Sequence, residues 1–246
     1  MRATFLRIAL PTLLLLALAP VAYAQDDEKS GFSMPCDQAV KLGLEKFTKA
    51  YGDRTQDFST AGQKQAFEFY VRCKRPANDE LAGKLLRPGN SLGVYEALRS
   101  QIDSVRDWLN KYGEALWTLR YAEEGGGTMW GLVAANAYAD REDFMETIIR
   151  TLAAPARRSL RARRRVNLSL ARIQRWLTSP KRKPFTENMD PNDVVSNKRL
   201  YQDTMREAQE ALTQLRGILG ALPDAAAERL AARMAEETKN ALADSP

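Results

Sequence analysis

The spacing of apolar residues between Tyr95 and Leu119 restricts the fold of this chain more than any other feature of its sequence. Apolar side chains recur there in steps of three and four residues, at Tyr95, Leu98, Ile102, Val105, Leu109, Tyr112, Leu116 and Leu119. This is the a/d pattern of a heptad repeat, which buries one stripe of a helix against its neighbours. The pattern predicts a helix from about Gly93 to Ala122, interrupted in composition only by Gly113, where glycine costs about 1 kcal/mol relative to alanine.

A second seam of the same kind lies in the C-terminal half of the chain. Its apolar positions are Tyr201, Met205, Ala208, Leu212, Leu215, Leu219 and Leu222. Asp190 and Pro191 upstream are typical of an N-cap and a first helical residue, and they predict where this helix begins. Gly220 and Pro223 indicate where it ends, and an alanine-rich helix from about Asp224 to Ala243 follows.

The remaining segments also favour helices over strands. We expect one helix from Thr128 to Ala139 and another from Asp140 to Ala153, because Asp140 and Asp143 are typical of a helix start. The sequence therefore predicts an all-α fold, an antiparallel helical bundle with long heptad-patterned helices and one disulfide-stapled N-terminal helical hairpin. Short connections favour packing of the heptads within one chain, although an intermolecular coiled coil in a homo-oligomer would use the same pattern.

The N-terminus has the pattern of a secretory signal peptide. Arg2 and Arg7 precede an apolar run, and the small-x-small motif at 22–24 predicts cleavage after residue 24. We therefore divide the chain into a signal peptide (1–24), a disordered N-terminus (25–34) and a single all-α domain (35–246) with a disulfide hairpin region (35–90) and a long-helix bundle (91–246). No later stretch is apolar enough for a transmembrane segment in the mature chain, so we expect an extracytoplasmic protein, periplasmic or secreted.

The chain has two cysteines, Cys36 and Cys73. Because we expect export to an oxidising compartment, we expect them to form a disulfide. Apolar residues from Cys36 to Tyr51 have helical spacing, and a second apolar segment runs towards Cys73 shortly before Pro76. In an antiparallel hairpin of these two helices, the start of the first lies beside the end of the second. Such a bridge closes about 38 residues and stabilises the fold by about 4 kcal/mol in the chain-entropy model.

The most polarised feature of the sequence is an arginine-rich segment after residue 156. Twelve of the chain's 37 lysines and arginines lie between Glu146 and Glu187, an interval with no acidic residue. Helical spacing places an apolar stripe on one side, formed by Ala162, Val166, Leu170, Ile173 and Leu177. It places seven arginines on the opposite side, which we call the arginine face: Arg157, Arg158, Arg161, Arg164, Arg165, Arg172 and Arg175. Arg163 flanks the stripe, and residues 181–183 are expected to extend the face into a loop.

The sequence favours a non-enzymatic protein. It contains no histidine, which excludes histidine-based catalysis and histidine-ligated metals, and we expect no metal and no cofactor. The leading hypothesis is that the arginine face binds an anionic envelope component, such as an anionic lipid or lipopolysaccharide, or an acidic protein; the signal peptide disfavours nucleic acid. The alternatives are a cell-wall glycan hydrolase using Glu123 or Glu124, beside a glycine run, and a purely structural or interaction module whose arginines balance its own acids.

Overall fold

The first heptad seam lies on one continuous helix in the folded chain. A computed structural model describes residues 34–55, 59–125, 130–155 and 159–242. These ranges contain eight α-helices and no β-strand, which confirms the all-α class. The helices are α1 (Cys36–Leu42), α2 (Leu44–Thr55), α3 (Thr60–Leu86), α4 (Leu92–Glu124), α5 (Trp130–Ala153), α6 (Leu160–Leu177), α7 (Pro191–Ala221) and α8 (Asp224–Leu242).

Both heptad seams are buried within this one chain. Six residues of the first seam on α4 are at most 1% exposed: Ile102, Val105, Leu109, Tyr112, Leu116 and Leu119. They share a core with the second seam on α7 and with apolar residues of α3, α5, α6 and α8. The seams therefore serve packing between helices of the same chain, as their short connections predict.

Hydrogen bonds between helices show how the bundle is arranged. Trp108 Nε1 donates to the carbonyl of Ala211 at 2.8 Å. Asn197, near the start of α7, donates to the carbonyl of Ala122, near the end of α4. Since later residues of α4 meet earlier residues of α7, these two long helices run antiparallel.

Helices α6 and α8 lie side by side and run in the same direction. At their beginnings, the backbone N–H of Ser159 donates to Asp224 Oδ2 at 2.6 Å. Beyond the end of α6, Arg182 Nη2 donates to the carbonyl of Leu242 at 2.7 Å. These two contacts fix the position of α6, which carries the described part of the arginine face.

The N-terminal region differs from the predicted hairpin in its details. The disulfide between Cys36 and Cys73 is confirmed. However, the first helix is divided at Gly43, whose positive φ of 75° favours glycine and ends α1. The second helix does not end near Pro76 but continues through it to Leu86.

Contacts with α5 on both sides of Pro76 explain why α3 continues. Before the proline, Tyr70 donates a hydrogen bond to Asp143 Oδ1 at 2.6 Å. After it, Asn78 donates to the carbonyl of Glu142 at 2.7 Å. Tertiary packing thus outweighs the local preference of proline to end a helix.

The prediction of two helices between 128 and 153 was wrong, because α5 is a single helix from Trp130 to Ala153. Asp140 and Asp143 were interpreted as helix-start residues from their local pattern. In the structure, Asp140 pairs with Arg233 of α8, and Asp143 lies 3.1 Å from Lys74 Nζ of α3. Both carboxylates therefore link neighbouring helices.

The interior contains ion pairs that link α5 to α4 and α8. Arg141 donates two hydrogen bonds to Glu237 Oε1, at 2.9 and 2.6 Å. Arg106 Nε lies 3.1 Å from Glu142 Oε1, close enough for an ion pair but without hydrogen-bond geometry. Burial raises the pKa of the Glu142 carboxyl, and Arg106 opposes that effect.

Gly113 lies in α4 where the Arg141 side chain crosses it. A Cβ atom built at this position would be 1.8 Å from Arg141 Nη2 and 1.9 Å from its Cζ. No side chain fits there while the guanidinium stays in place. Glycine is required at this point of the long helix because a buried ion pair passes directly over its backbone.

Candidate functional site

The arginine face lies on α6, a helix whose beginning and buried side are both explained by its sequence. Ser159 is the N-cap, and its hydroxyl accepts a hydrogen bond from the N–H of Ala162 at 3.3 Å. Ala162, Ile173 and Leu177 of the predicted stripe are buried. Val166 and Leu170 are half-buried and pack against the core. The stripe thus turns the opposite side of α6 to solvent.

The structure describes five of the seven arginines predicted for the face, and all five are exposed: Arg161, Arg164, Arg165, Arg172 and Arg175. Arg157 and Arg158 lie outside the described residues. Arg165 Nη1 lies 2.5 Å from Glu228 Oε1 of α8. The flanking Arg163 is also associated with α8, with its Nε 3.6 Å from Asp224 Oδ1.

The other four exposed arginines have no acidic partner within the described residues. We call Arg161, Arg164, Arg172 and Arg175 the outer arginines. The hypothesis that the protein balances this charge with its own acids applies to Arg163 and Arg165, which pair with α8. It does not apply to the outer arginines in the described part of the chain.

Two leucines lie among the outer arginines and are also exposed. Leu160 is 87% exposed and Leu168 is 52% exposed. Leu160, Arg164, Leu168 and Arg172 follow one another at intervals of four residues, so they form one ridge along α6. The ridge therefore alternates apolar and cationic side chains, both directed to solvent.

The prediction that residues 181–183 extend the face into a loop was wrong for Arg182. Its side chain is 5% exposed, and its Nη1 donates to both oxygens of Glu123, at 2.8 and 2.6 Å. Its Nε donates to the carbonyl of Trp176, and the backbone carbonyl of Leu242 accepts from its Nη2. Arg182 thus joins the ends of α4, α6 and α8, while Lys181 and Lys183 are exposed.

The two glutamates considered as catalytic acids have structural partners. The Glu123 side chain is 2% exposed and is bound by Arg182. Glu124 Oε1 accepts a hydrogen bond from Arg120 Nε at 2.8 Å, one turn earlier on the same helix. A glycan could not reach the buried Glu123 carboxylate, whereas the Glu124 side chain is 40% exposed and is engaged by Arg120.

Gly125, the first glycine after these glutamates, ends α4. Gly125 has a φ of 79°, and its N–H donates to the carbonyl of Tyr121 at 3.0 Å. A Cβ at Gly125 would lie 2.4 Å from the ring of Phe185, which packs over this turn. Gly126 and Gly127 lie outside the described residues. Gly125 therefore has a structural role, which is to end α4 beneath the ring of Phe185.

A groove that the sequence does not predict lies on the flank of α6. It has a volume of about 740 Å³ and lies between α6, the C-terminal end of α7 and the N-terminal end of α8. Arg163 and Arg216 both line it. No local sequence pattern reveals the groove, because its walls come from three helices. In the structure, Val166 and Leu170 are only half-buried, whereas Ala162, Ile173 and Leu177 of the same stripe are buried.

Within the described ranges, no helix combines the length and the apolar character needed to cross a bilayer. The same ranges contain no group of three or more cysteine, aspartate or glutamate side chains that could hold a metal ion. Comparison with protein-family models, with curated proteins and with solved structures finds no match. The interpretation of the site therefore depends on its geometry and charge.

Proposed function

We propose that the protein is an exported, non-enzymatic helical protein that binds an anionic lipid surface through the outer arginines of α6. The observation that carries this proposal is the exposed ridge on which leucine and arginine alternate without an acidic partner in the described residues. The signal-peptide pattern and the disulfide support an oxidising compartment outside the cytoplasm. The anionic lipids there include phospholipids and lipopolysaccharide.

The chemistry of the ridge favours a lipid surface over an acidic protein as the ligand. Arginine guanidinium groups form two parallel hydrogen bonds with a phosphate, and clusters of them attract anionic lipid headgroups. Exposed leucines gain free energy when they leave water for the interfacial region of a bilayer. Because α6 keeps its apolar stripe in the core, the helix would touch the surface with its outer side only.

The expected contribution of the outer arginines can be given as an order of magnitude. Each arginine near an anionic surface contributes about 1 kcal/mol at low salt. Four of them contribute about 4 kcal/mol, which corresponds to roughly a thousandfold change in partition coefficient. The contribution falls as salt rises, because the Debye length shortens from about 10 Å at 0.1 M to about 3 Å at 1 M.

The test is equilibrium binding of the mature chain to vesicles of phosphatidylcholine, with and without phosphatidylglycerol. Replacing the four outer arginines with glutamine should reduce the partition coefficient for anionic vesicles by two to three orders of magnitude, because it removes about 4 kcal/mol of electrostatic attraction. A control variant loses the same four positive charges by replacing four exposed lysines on other helices with glutamine: Lys46, Lys49, Lys64 and Lys84. We expect that control to bind almost as well as the parent chain.

Two results would contradict the proposal. The first is equal binding of the parent chain to neutral and anionic vesicles, or binding that salt does not weaken. The second is capture of an acidic protein by the arginine face with no affinity for anionic vesicles, which would favour a protein partner instead. The glycan hydrolase is the weaker candidate, since Glu123 is buried and paired with Arg182, and Glu124 is paired with Arg120.

A further inference from the structure

The groove beside α6 has the size and lining of a small-molecule site. Its volume of about 740 Å³ lies within the range of roughly 300–1,000 Å³ that is typical of ligand pockets. Val166 and Leu170 of α6 form one apolar wall, while Leu219 of α7, Leu222 of the link after it and Ala227 of α8 line the other side. Asn167 and Gln174 also line it, so the groove suits a ligand with both an apolar and a polar part.

Two arginines give the groove a preference for anions. Arg216 of α7 is exposed and has no acidic partner in the described part of the chain. Arg163 of α6 lies 3.6 Å from Asp224, the one acidic residue in the lining. Asp224 is already engaged, because its Oδ2 accepts the N–H of Ser159 at 2.6 Å. The lining thus has two cations for one anion, and Arg216 remains available to a ligand.

The groove also lies next to the surface that would meet the lipid. Arg163 lines the groove, and the adjacent Arg164 belongs to the exposed ridge. A lipid bound by its headgroup at the ridge has the groove within reach along the same helix. The apolar part of the groove can hold one acyl chain, and the guanidinium groups at its side can bind an anionic headgroup.

We infer that this groove binds a single-chain anionic phospholipid, with the acyl chain along Val166, Leu170 and Leu219 and the phosphate on Arg163 and Arg216. The inference rests on the proposed function and names the lipid that α6 selects from the surface. Guanidinium groups favour phosphate because both present matching pairs of donors and acceptors. The bound state would hold one lipid per protein molecule.

The test is calorimetric titration of the mature chain with lysophosphatidylglycerol of increasing chain length, kept below its micelle-forming concentration. Burial of each additional methylene should raise the affinity about fourfold until the groove is full. Glycerol phosphate, which has the head without the chain, should bind at least a hundredfold more weakly. Equal affinity for glycerol phosphate and the lysolipid would overturn the inference.

Variants of the lining separate the roles of chain and head. Ala171 is exposed and lines the groove, so Ala171→Phe should fill it and abolish lysolipid binding. The matched control is Ala97→Phe on α4, at an exposed alanine outside the groove lining, which should leave binding unchanged. Arg216→Gln should weaken binding about tenfold, because it removes a charged hydrogen bond to the phosphate. Circular dichroism establishes that each variant remains folded, and undiminished binding by folded Ala171→Phe would refute the groove as the site.

Failure of this inference can be distinguished from failure of the proposed function. Glutamine at the outer arginines should abolish vesicle binding and leave the lysolipid affinity within about threefold, because none of those arginines lines the groove. Ala171→Phe should abolish lysolipid binding and leave binding to anionic vesicles unchanged. A chain that binds anionic vesicles but no lysolipid would overturn the groove alone, and a chain that binds neither would overturn both.

Discussion

Replacing Gly113 with alanine should destabilise the protein, although the same change stabilises most exposed helix positions. Alanine is favoured over glycine inside a helix by about 1 kcal/mol. At this position the new Cβ would lie 1.8 Å from Arg141 Nη2, far inside the van der Waals distance. The α4 backbone is held by the buried first seam, so the guanidinium must move.

The size of the effect follows from what the guanidinium leaves behind. Arg141 makes hydrogen bonds of 2.9 and 2.6 Å to Glu237 Oε1, and the two side chains are only 6% and 5% exposed. Breaking a buried ion pair costs about 3–5 kcal/mol, since an uncompensated charge remains. After the gain in helix propensity, the free energy of unfolding should fall by about 2–4 kcal/mol. For a chain of this size that corresponds to a Tm lower by roughly 5–15 °C.

Urea unfolding followed by far-UV circular dichroism measures this difference. The matched control is Gly217→Ala on α7, where an added Cβ meets no atom within 4 Å and should raise stability by about 1 kcal/mol. We expect the free energy of unfolding to fall for Gly113→Ala and to rise for Gly217→Ala. A Gly113→Ala variant as stable as the parent chain would show that Arg141 can move away from Gly113 without losing stability.

Three further predictions concern the structural contacts. Arg182→Met should lower the free energy of unfolding by about 3–5 kcal/mol, because it leaves the Glu123 carboxylate buried without a partner, whereas Lys183→Met should have almost no effect on urea unfolding. Removal of both cysteines should lower stability by about 4 kcal/mol, and a reductant should then have no further effect on Tm. The hydrogen bond from Lys74 lowers the pKa of the Glu146 carboxyl below its ordinary 4.5, so this group stabilises the fold at neutral pH and loses that contribution as the pH falls below 4.5. Glu146→Gln should therefore lose less stability than the parent chain between pH 7 and pH 3.5 in parallel urea titrations; an equal loss would contradict this role.

The parts of the fold that the sequence predicts are those with a local cause. The heptad seam on α4 and the cap at Asp190 depend on residues within a few positions of one another. Contacts with other helices decide instead whether α3 continues through Pro76 and whether a helix begins at Asp140. Asp140 lies in a pattern typical of a helix start, but its partner Arg233 is 93 residues away. Propensity within a short window does not contain that information.

In the candidate site, too, the sequence predicts the features with a local cause and does not predict those that depend on distant residues. Helical periodicity predicts that Arg161, Arg164 and Arg172 share one side of α6, and the structure places them in solvent. It does not reveal that Arg182 turns inward, because Glu123, its partner, is 59 residues away. The groove was unpredictable for the same reason, since its lining comes from three helices that meet only in the folded chain.

We propose that the outer side of α6 is the part of the protein that touches an anionic lipid surface. A fluorophore that reports on polarity can test this directly, since the sequence has only two cysteines and both form the disulfide. A cysteine introduced by Leu168→Cys would place the label on the ridge. Val195→Cys on α7, a position that is 67% exposed, would place it elsewhere as a control.

We predict a blue shift of the label at 168 when phosphatidylglycerol vesicles are added, reversal of the shift at high salt, and no shift with phosphatidylcholine alone. The label at 195 should be unchanged under all three conditions. A shift at 195 without one at 168, or vesicle binding with no shift at either position, would contradict the assignment of α6 as the lipid-binding surface.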